Sequence, residues 1–198
     1  MDTTNNSMTD SDYYVCLNDT YINKYMNLIA KRSANKIYVF DSFFFTSLYE
    51  NGYSRVHNWT KNVDIFKKKA LMIPIYTREE NRWSLVMIDM ANKTMRYYDK
   101  FGKYNPRNIR LIIKYLKLEH FMRKGTFFKK NVIRTPTNIC SSNIDILDSG
   151  LFICVIAEHL SRSALLLFSL NDMKRFHKQI VCDIKCDKIS NLIPSFYT

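Results

Sequence analysis

Three short stretches of the chain carry side chains that could do chemistry if the fold gathered them. Arg82-Trp83-Ser84-Leu85 opens a strand-like run, Tyr97-Tyr98-Asp99 closes the next, and Asp148-Ser149-Gly150 stands directly before an apolar, helix-like run. A nucleophile at a helix N-terminus gains from the positive end of the helix dipole and from free backbone N–H groups. Each stretch taken singly is ordinary. An Asp-Ser-Gly is most often a turn and N-cap, and an Asp after a strand is most often a turn residue. The histidines, His57, His120, His159 and His177, fall outside all three stretches and read as exposed surface residues. His159 follows Ser149 by ten residues, about 15 Å along a helix, too far to act on it.

The elements that must position these residues can be read from periodicity and caps. Asn18 or Asp19 caps a helix with Ile22, Met26 and Ile29 on one face. Asp41 is placed as the cap of a second helix that turns Phe44, Phe45 and Leu48 inward and ends near Gly52. Residues 71–76 read as a buried strand, in which Pro74 argues for an edge or a bulge. Residues 83–90 and 93–99 form a β-hairpin around Ala91-Asn92. Asn105-Pro106 starts a helix through Ile109, Ile112, Ile113 and Leu116, with Gly125 beyond its end. Residues 132–137 read as a short strand and 150–161 as a buried helix. Ser169 to Asp172 opens a last helix with a capping box. Helices, then strands, then helices give an α+β class with helices packed on a central sheet.

The chain has 198 residues, 46% of them hydrophobic, with four Gly and four Pro. That suits one domain with a real core and excludes collagenous or disordered classes. The polar stretch 1–12 reads as a disordered tail rather than a signal peptide, and no apolar run reaches membrane-spanning length. The net charge of +12 favours an acidic partner. Lys67-Lys68-Lys69 and Lys129-Lys130 are candidate basic patches, but no nucleic-acid-binding motif is present, so a nucleic-acid partner is not expected. Five cysteines, Cys16, Cys140, Cys154, Cys182 and Cys186, include no CxxC pair. Neither a disulfide framework nor a zinc site is indicated, and no cofactor is expected. Cys182 and Cys186 read as small core residues. Reduced cysteines suggest a nuclear or cytoplasmic location.

Taken in order, the motifs resemble the SUMO-specific, or sentrin-type, cysteine proteases that act on ubiquitin-like proteins. The resemblance runs from about Val15 to Ile189. It rests on Leu17-Asn18-Asp19 with Tyr25-Met26, then Phe43-Phe44-Phe45, Gly52-Tyr53 and Trp59-Thr60-Lys61. It continues through Trp83-Ser84-Leu85, Tyr97-Tyr98-Asp99 and Gly102. It closes on Asp148, Gly150, Phe152, Cys154, Ala157-Glu158 and Leu160-Ser161-Arg162. The resemblance implies a papain-like cysteine protease fold, a central mixed sheet flanked by helices, over residues 13–198. In that family a Cys thiolate attacks the carbonyl after a Gly-Gly tail, a His takes the thiol proton, an Asp orients the His, and a Gln helps to hold the oxyanion.

This chain departs from the pattern where the chemistry lies. The His position is Arg82, the nucleophile position is Ser149, the oxyanion Gln position is Asn143, and a tail-clamping Trp position is Cys16. Asp99 is retained at the orienting position, Trp83 as one wall of the tail tunnel, with Asp148, Gly150 and Asp19, the last matching a modifier-contacting residue. Guanidinium groups stay protonated in proteins, so an arginine cannot take the proton. A serine hydroxyl without a base beside it is a poor nucleophile, and an Asn arm is one methylene short of Gln. A Cys-to-Ser change made to trap a complex would account for Ser149 alone, not for Arg82, Asn143 and Cys16 together. The expectation is a catalytically inactive, pseudoprotease-type domain that binds SUMO, another ubiquitin-like protein or a SUMOylated protein. An active deSUMOylating peptidase and a basic protein- or chromatin-binding module stand as alternatives. Arg82 is expected to pair with Asp99.

Overall fold

The structure is a computed structural model that describes residues 16–92, 94–126, 128 and 148–195, together with the backbone of 133–137. The tail at 1–12, Lys129-Lys130, Cys140 and Asn143 lie outside the described residues. Helix α1 (Asp19–Arg32) starts at Asn18, whose side chain accepts the Tyr21 N–H, and buries Ile22, Met26 and Ile29 as their spacing predicts. Strand β1 (Ile37–Val39) and helices α2 (Phe44–Asn51) and α3 (Tyr53–Val56) follow, the two helices meeting at Gly52, where φ is +74°. Next come β2 (Ala70–Thr77), β3 (Arg82–Asp89), β4 (Thr94–Asp99) and α4 (Pro106–Lys124). Then β5 (Ile133–Thr137), α5 (Ser149–Ser161) and α6 (Leu170–Lys185) complete the described chain.

The strands form one sheet in the order β1-β2-β3-β4-β5. The outer pairs β1·β2 and β4·β5 are parallel and the inner pairs are antiparallel, so the sheet is mixed and the class is α+β. The inner strands alternate in the usual period of two. Met72, Leu85 and Tyr98 face α1, α5 and α6, whereas Leu71, Ile73, Ile75, Val86 and Tyr97 face α2 and α4. The sheet therefore carries a separate core on each face. Pro74 needs no bulge: β1 pairs only with residues 70–72, so beyond Met72 that side of β2 is an open edge.

Three expectations need correction. Asp41 does not cap α2 from its N-cap position; it closes the turn before the helix by accepting from Phe43 N–H, and Phe43 occupies the cap. Cys182 and Cys186 are exposed, not core, with sulfurs 3.9 Å apart. His159 and His177 are buried rather than on the surface. Among the described residues no helix is long and apolar enough to cross a membrane, and no group of three or more His, Cys, Asp or Glu side chains could hold a metal ion.

Candidate functional site

The site forms where the start of β3, the end of β4 and the N-terminus of α5 converge. Strand register brings the first two together: Arg82 begins β3, and Ser84, two residues on, pairs with Asp99 at the end of β4. Arg82 and Ser84 lie on the same face of the strand, so the Arg82 side chain reaches along the sheet toward Asp99. Its Nε lies 3.0 Å from Asp99 Oδ2. The N–H is not aligned with that oxygen, so the contact is an ion pair without a hydrogen bond. Arg82 Nη2 meets a second carboxylate, Glu80 Oε2, at 2.5 Å. The ring of Phe101 lies 5.3 Å from the guanidinium carbon. The Arg82 side chain is 11% exposed and that of Asp99 1%.

Asp99 is also bound from the loop that follows β4. Its Oδ1 accepts the backbone N–H groups of Phe101 (2.9 Å) and Lys103 (3.1 Å). The carboxylate thus closes its own turn while it faces Arg82, and the turn reading and the charge-pairing reading hold together.

Ser149 is the first residue of α5, and Asp148 is its N-cap. The Ser149 hydroxyl accepts the backbone N–H of Trp83 at 2.9 Å, which ties the helix end to β3. Asp148 works in two directions. Its Oδ1 accepts from Gly150 N–H at 2.9 Å and its Oδ2 accepts from the Leu17 N–H. Gly150 packs directly on the same segment: a Cβ there would fall 2.3 Å from the Leu17 carbonyl oxygen. Asp148 and Gly150 therefore seat residues 16–18, and with them the start of α1, against α5. Exposed Cys16 and half-buried Asp19 flank this seat. Trp83 is half-buried with its ring 4.9 Å from that of Tyr76.

Three of the histidines are engaged away from this cluster. His57 and His120 rest on the carbonyls of Ser54 and Thr126, and His159, deep in α5, on that of Val155. The nearest cysteine along α5, Cys154, is fully buried, and burial pushes its thiol well above the ordinary cysteine range. It is a core residue, not a substitute thiolate. The structure brings together Arg82, Trp83, Asp99, Asp148, Ser149 and Gly150, with Cys16 and Asp19 at the margin. Glu80 and Phe101 were not foreseen from the sequence.

The sequence matches the family model of the Ulp1 protease family, C-terminal catalytic domain, over residues 16–190. The chain belongs to this family. It is 37% identical to mouse sentrin-specific protease 3 over 173 residues, which covers 83% of the chain and 28% of the relative. It is 31% identical to sentrin-specific protease 2 of Pongo abelii over 183 residues, covering 86% of the chain and 30% of the relative. The chain thus spans less than a third of the length of these relatives. The C-terminal Ulp1 protease domain solved in complex with Smt3, the yeast ortholog of SUMO, superposes with a TM-score of 0.75 at 27% identity. That alignment covers 94% of this chain and 86% of the other. The SUMO-protease fold is therefore established for this domain, on the same architecture that the motifs imply.

Proposed function

We propose that this domain is a catalytically inactive member of the Ulp1 family that binds SUMO or another ubiquitin-like protein without cleaving it. One observation carries the reading. The residue at the base position, Arg82, is a permanent cation held between Asp99 and Glu80. A guanidinium cannot accept a proton, and removing the base of a nucleophile–base unit removes most of the covalent rate. Ser149 supports it, because its hydroxyl accepts the Trp83 N–H and no basic side chain is hydrogen-bonded to it among the described residues. The residues we assign to the modifier are Trp83 and Asp19, with Asp148 and Gly150 shaping the segment that carries Cys16. With exposed Cys16 in place of a large ring, the clamp on a Gly-Gly tail is weak, and affinity comes from broad surface contact. The four described cysteines are free, which fits a nuclear or cytoplasmic location.

The test is a calorimetric titration with mature SUMO at physiological salt, paired with a day's incubation with a SUMO–isopeptide substrate. Micromolar binding without cleavage supports the reading. Cleavage that Ser149→Ala abolishes would establish an active peptidase instead. Neither binding nor cleavage would leave a borrowed fold with another partner.

A further inference from the structure

One cavity, which shares no lining residue with the Arg82–Ser149 cluster, has one-sided chemistry. It measures about 680 Å³ and is lined by Lys36, Lys67, Lys68 and Lys69, with Asn35, Asn62 and the edge of the β3–β4 turn. Its one acidic lining residue, Asp64, is taken by Lys124 Nζ at 2.5 Å. Lys124 is the last residue of α4, and the Phe66 ring, also in the cavity wall, meets His120 of α4 at 4.8 Å. The cavity therefore abuts the C-terminal end of α4.

The solvent face of α4 continues the same sign. Arg110, Lys114 and Lys117 follow each other at i, i+4 and i+7, all exposed, about 5 Å apart along the axis. The single acid of the helix, Glu119, is buried and bound to Arg123, Tyr53 and Thr60, so nothing on the exposed face offsets these cations. Arg110, Lys114, Lys117, Lys36 and Lys69 have no ion-pair partner among the described residues, and Lys67 shares Asp64 with Lys124.

We propose that the α4 face and the adjoining lysine cavity bind the phosphate backbone of a duplex nucleic acid. Lysines are depleted in protein–protein interfaces but are standard phosphate contacts, and this surface is made mainly of lysine. A single strand would need a row of aromatic platforms, and the exposed face of α4 offers only Phe121. A straight, rigid row of cations beside a basic recess suits a regular array of phosphates, and it positions a duplex without reading its sequence. The sequence held no motif for this because the Lys67–Lys69 run and the α4 row, more than forty residues apart, meet through tertiary contacts such as Phe66–His120, Asp64–Lys124 and Arg123–Val63.

The experiment is fluorescence anisotropy with a labelled short duplex DNA and the matching duplex RNA over a range of salt. Polyglutamate serves as an anion without phosphates. Lys114→Glu/Lys117→Glu and Lys67→Glu/Lys69→Glu should each weaken binding by about tenfold or more and flatten the log–log salt slope by about 2. Lys174→Glu/Lys185→Glu, an equal charge change on exposed positions of α6, should leave affinity within about twofold. Binding of either duplex supports the proposal, and a preference between them names the source of the phosphates. An equal loss from the α6 variant, or displacement by polyglutamate as effective as by unlabelled duplex, would reduce the effect to net charge and overturn it. Unchanged melting temperatures confirm that the variants, all at exposed positions, remain folded. SUMO binding plays no part in any arm, so the result stands apart from the modifier reading.

Discussion

Arg82 is the residue on which both chemistry and local stability turn. Its guanidinium is nearly buried between two carboxylates, and Asp99 is almost fully so. Removing one partner of such a pair strands the other charge, which costs about 3–5 kcal/mol in fully buried cases. Asp99 would keep its two backbone donors, Phe101 and Lys103 N–H, so Arg82→Leu should cost about 2–3 kcal/mol in urea unfolding. Adding Asp99→Asn should recover part of that loss, since the stranded charge is then gone. A neutral Arg82→Leu would mean that the ion pair contributes nothing. The Arg82–Asp99 pairing was legible through the family resemblance, which puts these two residues at the positions of the hydrogen-bonded His and Asp. Glu80 was not. It reaches Arg82 because Asn81 takes a left-handed backbone, φ +45°, and folds residues 78–80 back over the strand end. Spacing alone does not reveal that turn.

At the scale of elements, the docking of α1 on α5 rests on a close approach that only glycine permits. The Gly150→Ala methyl group would have to move the Leu17 carbonyl, which is backbone, and overpacking of that kind costs about 1–3 kcal/mol. A lower melting temperature, with faster hydrogen exchange at the Leu17 amide that Asp148 accepts, is the expected result. Unchanged exchange at Leu17 would show that the seat tolerates the methyl group. Helix α6 offers a pH test. Burial alone would raise the Asp172 carboxyl, but the Ser169 N–H and hydroxyl and the Ser195 N–H outweigh that and hold it at about 2. A carboxyl depressed in the folded state stabilises above its unfolded value near 3.9, and that stability is lost as pH falls toward 2. Asp172→Asn should therefore be about 2 kcal/mol less stable than the parent at neutral pH. The two proteins should converge between about pH 4 and 2 in denaturant titrations, and a constant gap down to pH 2 would refute this origin. The caps Asn18, Asn105, Asp148 and Ser169 were readable because they act within one turn of sequence. The exposure of Cys182 and Cys186 was readable too and was missed: Cys182 lies two residues, about 200°, round from buried Ile180. The burial of His159 was readable as well, because it sits within residues 150–161, a run apolar enough to read as a buried helix, and every side of α5 is covered.

At the scale of the whole molecule, the sheet separates two surfaces. Trp83 and Ser149 lie in the layer of α1, α5 and α6, with Arg82 and Asp99 beside them at the strand ends on the other face, whereas the basic cavity lies at the far end of β3 against α4. Both cores share β2, β3 and β4 as one wall, because alternate residues of each strand serve opposite faces. The structure shows this wall in a single arrangement. Coupling between sites requires a differential effect on two states, and it is reciprocal. The direct electrostatic route is short as well, because at physiological salt charges are screened beyond about 8 Å. Saturating the α4 face with duplex should therefore change the calorimetric affinity for mature SUMO by less than about twofold, and the reverse titration should give the same factor. Competition of tenfold or more would place both ligands on one surface, and the basic charge would then belong to the modifier interface. Near-additive binding would instead make the domain a bridge between a modifier-bearing protein and a phosphate backbone, a role for which an arginine-locked site is no handicap.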